Sequence, residues 1–250
     1  MSSNSSARGS THRWSPQEEH HDGRRRLWAA IDDQRRRTVD MLSRLDPTQW
    51  QHASLCDGWT VRDVAAHLTL QQQRVRDVVG FMVRHPSLLR SADLNRTIHD
   101  SAVRQAALPT KEIVARIRAG IGSRRHNAFV TSRETLTDIL VHGQDIAIPL
   151  GLDLDMPVVA TAEAASRVWA IRGTRLDAVF RNRPMAGYRL TATDTNWSVD
   201  GGLGPEGTPA VEITGPIGAL LLLLTGRDAR VGELTGPGVT TLRPSVTHRP

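Results

Sequence analysis

The chain has 250 residues, 39% of them hydrophobic, and a formal net charge of +6, which is enough for one large domain or two small ones. Its basic charge is almost entirely arginine, since Lys111 is the sole lysine, and acids interrupt it at Arg62-Asp63, Arg76-Asp77 and Arg227-Asp228. With only 4% aromatic residues for base stacking, nucleic acid is not an expected partner. Cys56 is the single cysteine, so no internal disulfide can form. The N-terminus lacks an apolar signal core, and Ile217 to Leu224, the longest apolar run, is far too short to span a bilayer. A cytoplasmic protein with no membrane partner is expected.

Residues 1–23, rich in Ser, His and Arg, read as a disordered extension. Leu27, Ile31, Thr38, Met41, Leu42 and Leu45 then repeat at helical spacing until Asp46-Pro47. The basic runs Arg24 to Arg26 and Arg35 to Arg37 read as the solvated face of that helix. A second helix opens at Thr60, with Asp63 completing a capping box, and its stripe runs through Val64, Leu68 and Val75 toward Met82. His67 borders this stripe. Helical patterns follow over 92–107 and after Pro109, through Ile113, Val114 and Ile117.

A further capping box, Thr131 with Glu134, opens a helix that carries Asp138 and His142 and stops at Pro149 and Gly151. The next helix, over 157–179, has Asp155 as its expected cap. Helices joined by short connections suggest an antiparallel bundle.

Past Pro184 the period changes. Short strand-like segments at 188–192, 197–199 and 210–214 alternate with Asp, Asn, Gly and Pro clusters. A Leu-rich helix from Pro216 to Gly226 and a turn at Gly236-Pro237-Gly238 close the chain. This predicts a mainly α protein in which a helical bundle (24–183) precedes a small α+β domain (184–250).

Asp138 and His142 are four residues apart, so they share one face of their helix. With a ligand from a facing helix they would form a two-His, one-carboxylate set with an open position for chemistry. Spacing alone leaves open whether His67 faces this pair, and a core histidine and a surface ion pair explain the same residues. Other candidates have ordinary explanations. Glu134 could be a fourth ligand or a general base, but it already serves as a capping residue. Asp145 could orient a neighbour by a hydrogen bond. Cys56, just before the Asp57-Gly58 turn, could ligate or react but reads better as a small buried hydrophobe, and Trp59 reads as an anchor for the second helix. Residues 200–207 are Gly-rich but lack the Lys-Ser/Thr of a phosphate loop.

The stretch Asp57-Gly58-Trp59-Thr60-Val61-Arg62-Asp63-Val64-Ala65-Ala66-His67-Leu68 resembles the N-terminal signature of the mycothiol-dependent maleylpyruvate isomerase family, within the DinB-like superfamily. Glu134 to Ala147 resembles that family's second metal-binding helix. Tyr188 to Asp194, Trp197, Val211 to Gly215 and Leu220 to Arg227 are similar to its small C-terminal domain. The resemblance implies a DinB-like bundle joined to a sterol-carrier-protein-like α+β domain. It further implies a divalent metal, usually zinc, held by His67, Asp138 and His142, where the family's pattern has Glu at the position of Asp138. It also implies mycothiol as thiol cosubstrate, a small electrophile as substrate, and Arg227 as a catalytic arginine able to bind a carboxylate. An isomerase or a thiol S-transferase is the expected activity. The alternative is a non-catalytic, regulatory metal- or ligand-binding module of the same fold. The substrate and the oligomeric state are not encoded in these motifs.

Overall fold

The computed structural model describes residues 16–72, 106–125, 131–174, 177 and 183–242, and elements are numbered over these residues. The expected helix over 92–107 (save its last two residues), the second helix beyond Gln72, and His85, His99 and His126 lie outside them.

Helix α1 (Pro16–Leu42) reaches back into the segment expected to be disordered. A proline at its first position suits a helix start, and Asp22 pairs with Arg25 and Arg26 one turn on. A short α2 (Pro47–Trp50) and α3 (Val61–Leu68) follow, α3 running on as a 3-10 turn, Thr69–Gln72. Next come α4 (Thr110–Ala119), α5 (Ser132–Ala147) and α6 (Val158–Ala170). Both predicted capping boxes form: Thr60 and Asp63 satisfy each other at the start of α3, and Thr131 and Glu134 do so at α5.

Helix α5 is the axis of the fold, packed against α1, α3 and α6. One side of it contributes Leu136 and Leu140 to one apolar core, and another side contributes Ile139 and Ile146 to a second. The second core lies among α1, α3 and α4, with Val61, Val64, Leu68, Ile113 and Ile117 buried in it.

Two expectations need correction. Arg35 is not on a solvated face: it is 1% exposed, donates to the Gly120 carbonyl at 2.7 Å and sits 3.6 Å from Asp32. Charge runs do not reveal which arginine faces a neighbouring segment: the acid beside Arg35 is one turn back on α1, and the carbonyl it reaches follows α4. Asp155 does not cap α6, whose N-terminus has no side-chain cap, because its carboxylate pairs with Arg37 at 3.1 Å.

The C-terminal strands are β1 (Tyr188–Ala192), β2 (Ser198–Asp200) and β3 (Val211–Gly215), in the order β2-β1-β3. The β1–β2 pair is antiparallel and the β1–β3 pair parallel, with Leu190 opposite both Val199 and Ile213. Helix α7 (Ile217–Leu224) buries all eight of its residues, between α6 and the strands. Asp194 accepts a hydrogen bond from the Ile217 N–H at 2.9 Å, placing an acid at the positive end of this uncharged helix. At the chain's last turn Gly236 adopts φ 102° and a short helix, α8 (Pro237–Thr241), forms where a plain turn was expected. The molecule is therefore mainly helical with a small α+β unit at its end, as the sequence predicts. Among the described residues no helix is long and apolar enough to cross a membrane.

Candidate metal centre

Three elements meet where α3 crosses α5. The loop before α3 is closed by an Ala53–Thr60 bridge, turns at Gly58 with φ 75°, and is tied to α5 by the Leu55 N–H on the Asp145 carbonyl at 3.1 Å. It delivers the capped start of α3, which sets the rotation of that helix. His67 and Gln71, one turn apart, then face Asp138 and His142, one turn apart on α5.

Asp138 is the meeting point. Its Oδ1 lies 3.4 Å from His67 Nε2 and 3.3 Å from His142 Nε2, while its Oδ2 accepts from Gln71 Nε2 at 2.6 Å. The two imidazole rings stand edge to face, centroids 4.9 Å apart, and Trp59 meets His67 in the same manner at 5.7 Å. His67, Asp138 and His142 offer ligand atoms that all lie within 4.8 Å of one another. Burial works against charge on Asp138, but the neighbouring His67 and His142 hold its carboxyl well below the ordinary range. For His142, burial favours the neutral ring, yet Asp138, then Asp145, raise it well above the ordinary value.

The donor set fits a divalent ion. Separations of 3.3 and 3.4 Å exceed the usual N–H···O hydrogen-bond range of about 2.7–3.2 Å. They match the edge of a ligand tetrahedron, about 3.3 Å when donors stand about 2.0–2.1 Å from zinc. His142 also has the support that metal-bound imidazoles receive: its Nδ1 donates to Asp145 Oδ2 at 2.8 Å, leaving the Nε2 lone pair toward Asp138.

Asp145 is fully buried and is held by Arg227, whose Nε donates to Oδ1 at 3.0 Å and Nη2 to Oδ2 at 2.8 Å. Against burial, Arg227 and His142 push the Asp145 carboxyl far down, and Asp145 pushes the guanidinium further up. Arg227 comes from the end of α7, so the C-terminal unit reaches the site at this point.

Cys56, expected to be a small buried hydrophobe, stands instead beside the site. It is half-buried rather than a simple core residue, with its thiol 3.1 Å from Asp145 Oδ2, 3.8 Å from His142 Nδ1 and 3.6 Å from Arg227 Nη2. Cys56, His142 and Asp145 form a second close trio, but Asp145 Oδ2 already accepts from His142 and Arg227, so this trio is a hydrogen-bonded support. The only sequence signal was its place just before the Asp57-Gly58 turn. The Glu134 carboxylate is already shared between the Thr131 cap and Arg167.

With this geometry in hand, residues 31–126 match the family model described as the mycothiol maleylpyruvate isomerase N-terminal domain. This region belongs to that domain family. The match includes His67, whereas Asp138 and His142 lie beyond it. The whole fold is similar to the crystal structure of the mycothiol-dependent maleylpyruvate isomerase: TM-score 0.56 at 13% identity, covering 88% of this chain and 95% of that one. A histidine-to-alanine mutant of that enzyme matches over the same shares at 12% identity and TM-score 0.56. At such identity the likeness establishes the fold alone. No curated protein sequence matches the chain.

Proposed function

We propose that this chain is a metal-dependent enzyme of the maleylpyruvate isomerase type. In this reading it binds a divalent ion, zinc by preference, through His67, Asp138 and His142, and uses mycothiol as thiol cosubstrate toward a small electrophile. The observation that carries it is the convergence of two imidazoles and one carboxylate from two helices, with ligand atoms within 4.8 Å of one another. The N-terminal family match and the shared fold of a mycothiol-dependent maleylpyruvate isomerase point to the same chemistry.

A bound dication would supply the Lewis acidity that favours thiolate over thiol at neutral pH. The chain's own residues prepare the site. Gln71 occupies one oxygen of Asp138 and leaves the other facing the imidazoles. Asp145 fixes the His142 tautomer. Trp59 closes the edge of His67. A thiolate adding to a cis double bond, rotation about the resulting single bond, and loss of the same thiolate return the thiol unchanged and isomerise the substrate. A leaving group or strained ring in the electrophile would instead give S-transfer. The cytoplasm, where such a thiol stays reduced, is the compartment this reading requires. It divides the chain into a bundle (24–183) that supplies the ligands and a small domain (184–250) that supplies Arg227.

The test is metal analysis of the purified protein, followed by mycothiol consumption and product analysis with maleylpyruvate and a panel of alkylating electrophiles. Stoichiometric zinc with thiol-dependent turnover is the expected result. Metal-loaded protein that neither isomerises nor consumes thiol would leave a non-catalytic binding module of the same fold.

A further inference from the structure

We infer that Arg227 is a positioning residue through which the C-terminal unit holds the metal-binding imidazole of His142, rather than a receptor for a substrate carboxylate. The inference rests on the metal reading above.

The first observation is a census of its donors. Of the five N–H groups of a guanidinium, four are directed at the protein's own atoms. Nε and Nη2 grip the two oxygens of Asp145 at 3.0 and 2.8 Å, Nη2 also approaches Cys56 Sγ at 3.6 Å, and Nη1 donates to the Thr225 carbonyl at 2.5 Å. A carboxylate from a ligand would have to displace a fully buried acid from a paired fork.

The second is how the side chain is aimed. Helix α7 ends in a Schellman motif: the Gly226 N–H bonds to the Leu223 carbonyl at 3.1 Å and the Arg227 N–H to the Leu222 carbonyl at 2.8 Å. Gly226 supplies the required positive φ of 78°. Since α7 is buried throughout, its end has no freedom to swing, and Arg227 is delivered to Asp145 from a rigid element.

The third is the onward link. Asp145 Oδ2 accepts the His142 Nδ1 proton at 2.8 Å, which keeps the Nε2 lone pair for the ion. The connection therefore runs from α7 through Arg227 and Asp145 to His142. Loss of such outer support typically weakens metal affinity about 10–100-fold.

The experiment compares wild type, Arg227→Met and Arg227→Lys. Zinc affinity is measured by chelator competition, and the ¹⁵N shifts of the His142 ring are recorded in metal-free protein at an alkaline pH where the ring is neutral. The expected result is an affinity loss of about 10–100-fold in the Met variant, partial recovery with Lys, and a His142 ring no longer held as a single Nδ1–H tautomer. Unchanged zinc affinity and tautomer, with a raised KM for carboxylated electrophiles alone, would overturn the inference. Failure of the metal reading itself shows separately, as wild type that binds no zinc. If the Met variant does not fold, the Lys variant and its tautomer signal decide.

Discussion

Replacing His67 by Ala separates a metal centre from a hydrogen-bonded histidine cluster. A ligand present at 100 times its Kd stabilises the folded state by about 2.7 kcal/mol, and for a chain of this size each kcal/mol moves Tm by about 2–4 °C. Zinc added to metal-free wild type at that ratio should therefore raise Tm by about 5–11 °C. His67 supplies one of the three converging donors. Apparent zinc-binding energies of about 10–16 kcal/mol over four ligands make one donor worth about 3 kcal/mol, or roughly a hundredfold in Kd. At the same zinc concentration His67→Ala then retains about 0.4 kcal/mol, a shift of about 1 °C. The assay is a thermal melt of chelator-treated protein with and without zinc. His52→Ala is the control, because His52 is exposed and, among the described residues, its ring hydrogen-bonds to the neighbouring Ala53 carbonyl. A His67→Ala protein that keeps the full zinc-dependent shift would refute the proposed ligand set.

Three further outcomes are expected. In metal-free protein the raised His142 contributes stability that is full below its ordinary value of 6.5 and is lost as pH climbs through the elevated value. Zinc affinity should strengthen over that same rise, because the ring must shed its proton to bind. The depressed Asp138 contributes stability present above its ordinary 3.8 and lost as pH falls through its lowered value. Melts and chelator competitions over about pH 6 to 9 would check the histidine limb, and an affinity flat with pH would contradict it. Arg35→Met removes a buried ion pair with Asp32 and the donor to the Gly120 carbonyl, while Asp32 keeps Arg124 and the Gly122 N–H as partners. A loss of about 3 kcal/mol, at the low end for breaking a buried pair, should show in denaturant melts, whereas a change below about 0.5 kcal/mol, the size of ordinary surface substitutions, would mean that the buried pair contributes little. Gly226→Ala forces a side chain onto φ 78° at a cost of about 1–2 kcal/mol, and it should weaken zinc binding as well, since it re-aims Arg227.

Local rules made much of this legible in advance. Capping boxes fix where α3 and α5 begin, and hence which residues share a face with the core. That is why the meeting of His67, Asp138 and His142 could be expected from spacing and motif resemblance taken together, and why Leu190 and Ile213 could be placed in strands. Long-range partners were not legible. Cys56 lies 89 positions from the acid it contacts, and Arg35 lies 85 from the carbonyl it caps. No period in the chain announces either meeting. Asp155 had a correct position for a cap, but an ion pair with Arg37 in α1 takes its carboxylate instead.

The short acid at position 138 still meets both imidazoles. Aspartate reaches less far than the glutamate of the family pattern, yet its Oδ1 stands within 3.4 Å of both imidazoles. Gln71 makes this possible: one turn beyond His67, its amide grips the other oxygen at 2.6 Å and is itself 5% exposed. The carboxylate is thereby turned edge-on, with one oxygen committed to the imidazoles. One helix thus supplies both a candidate metal donor, His67, and the hydrogen bond that orients the acid across from it. A one-residue slip of α3 would remove both together. For this reason the Thr60 cap, which fixes that register, belongs to the site as much as the ligands do.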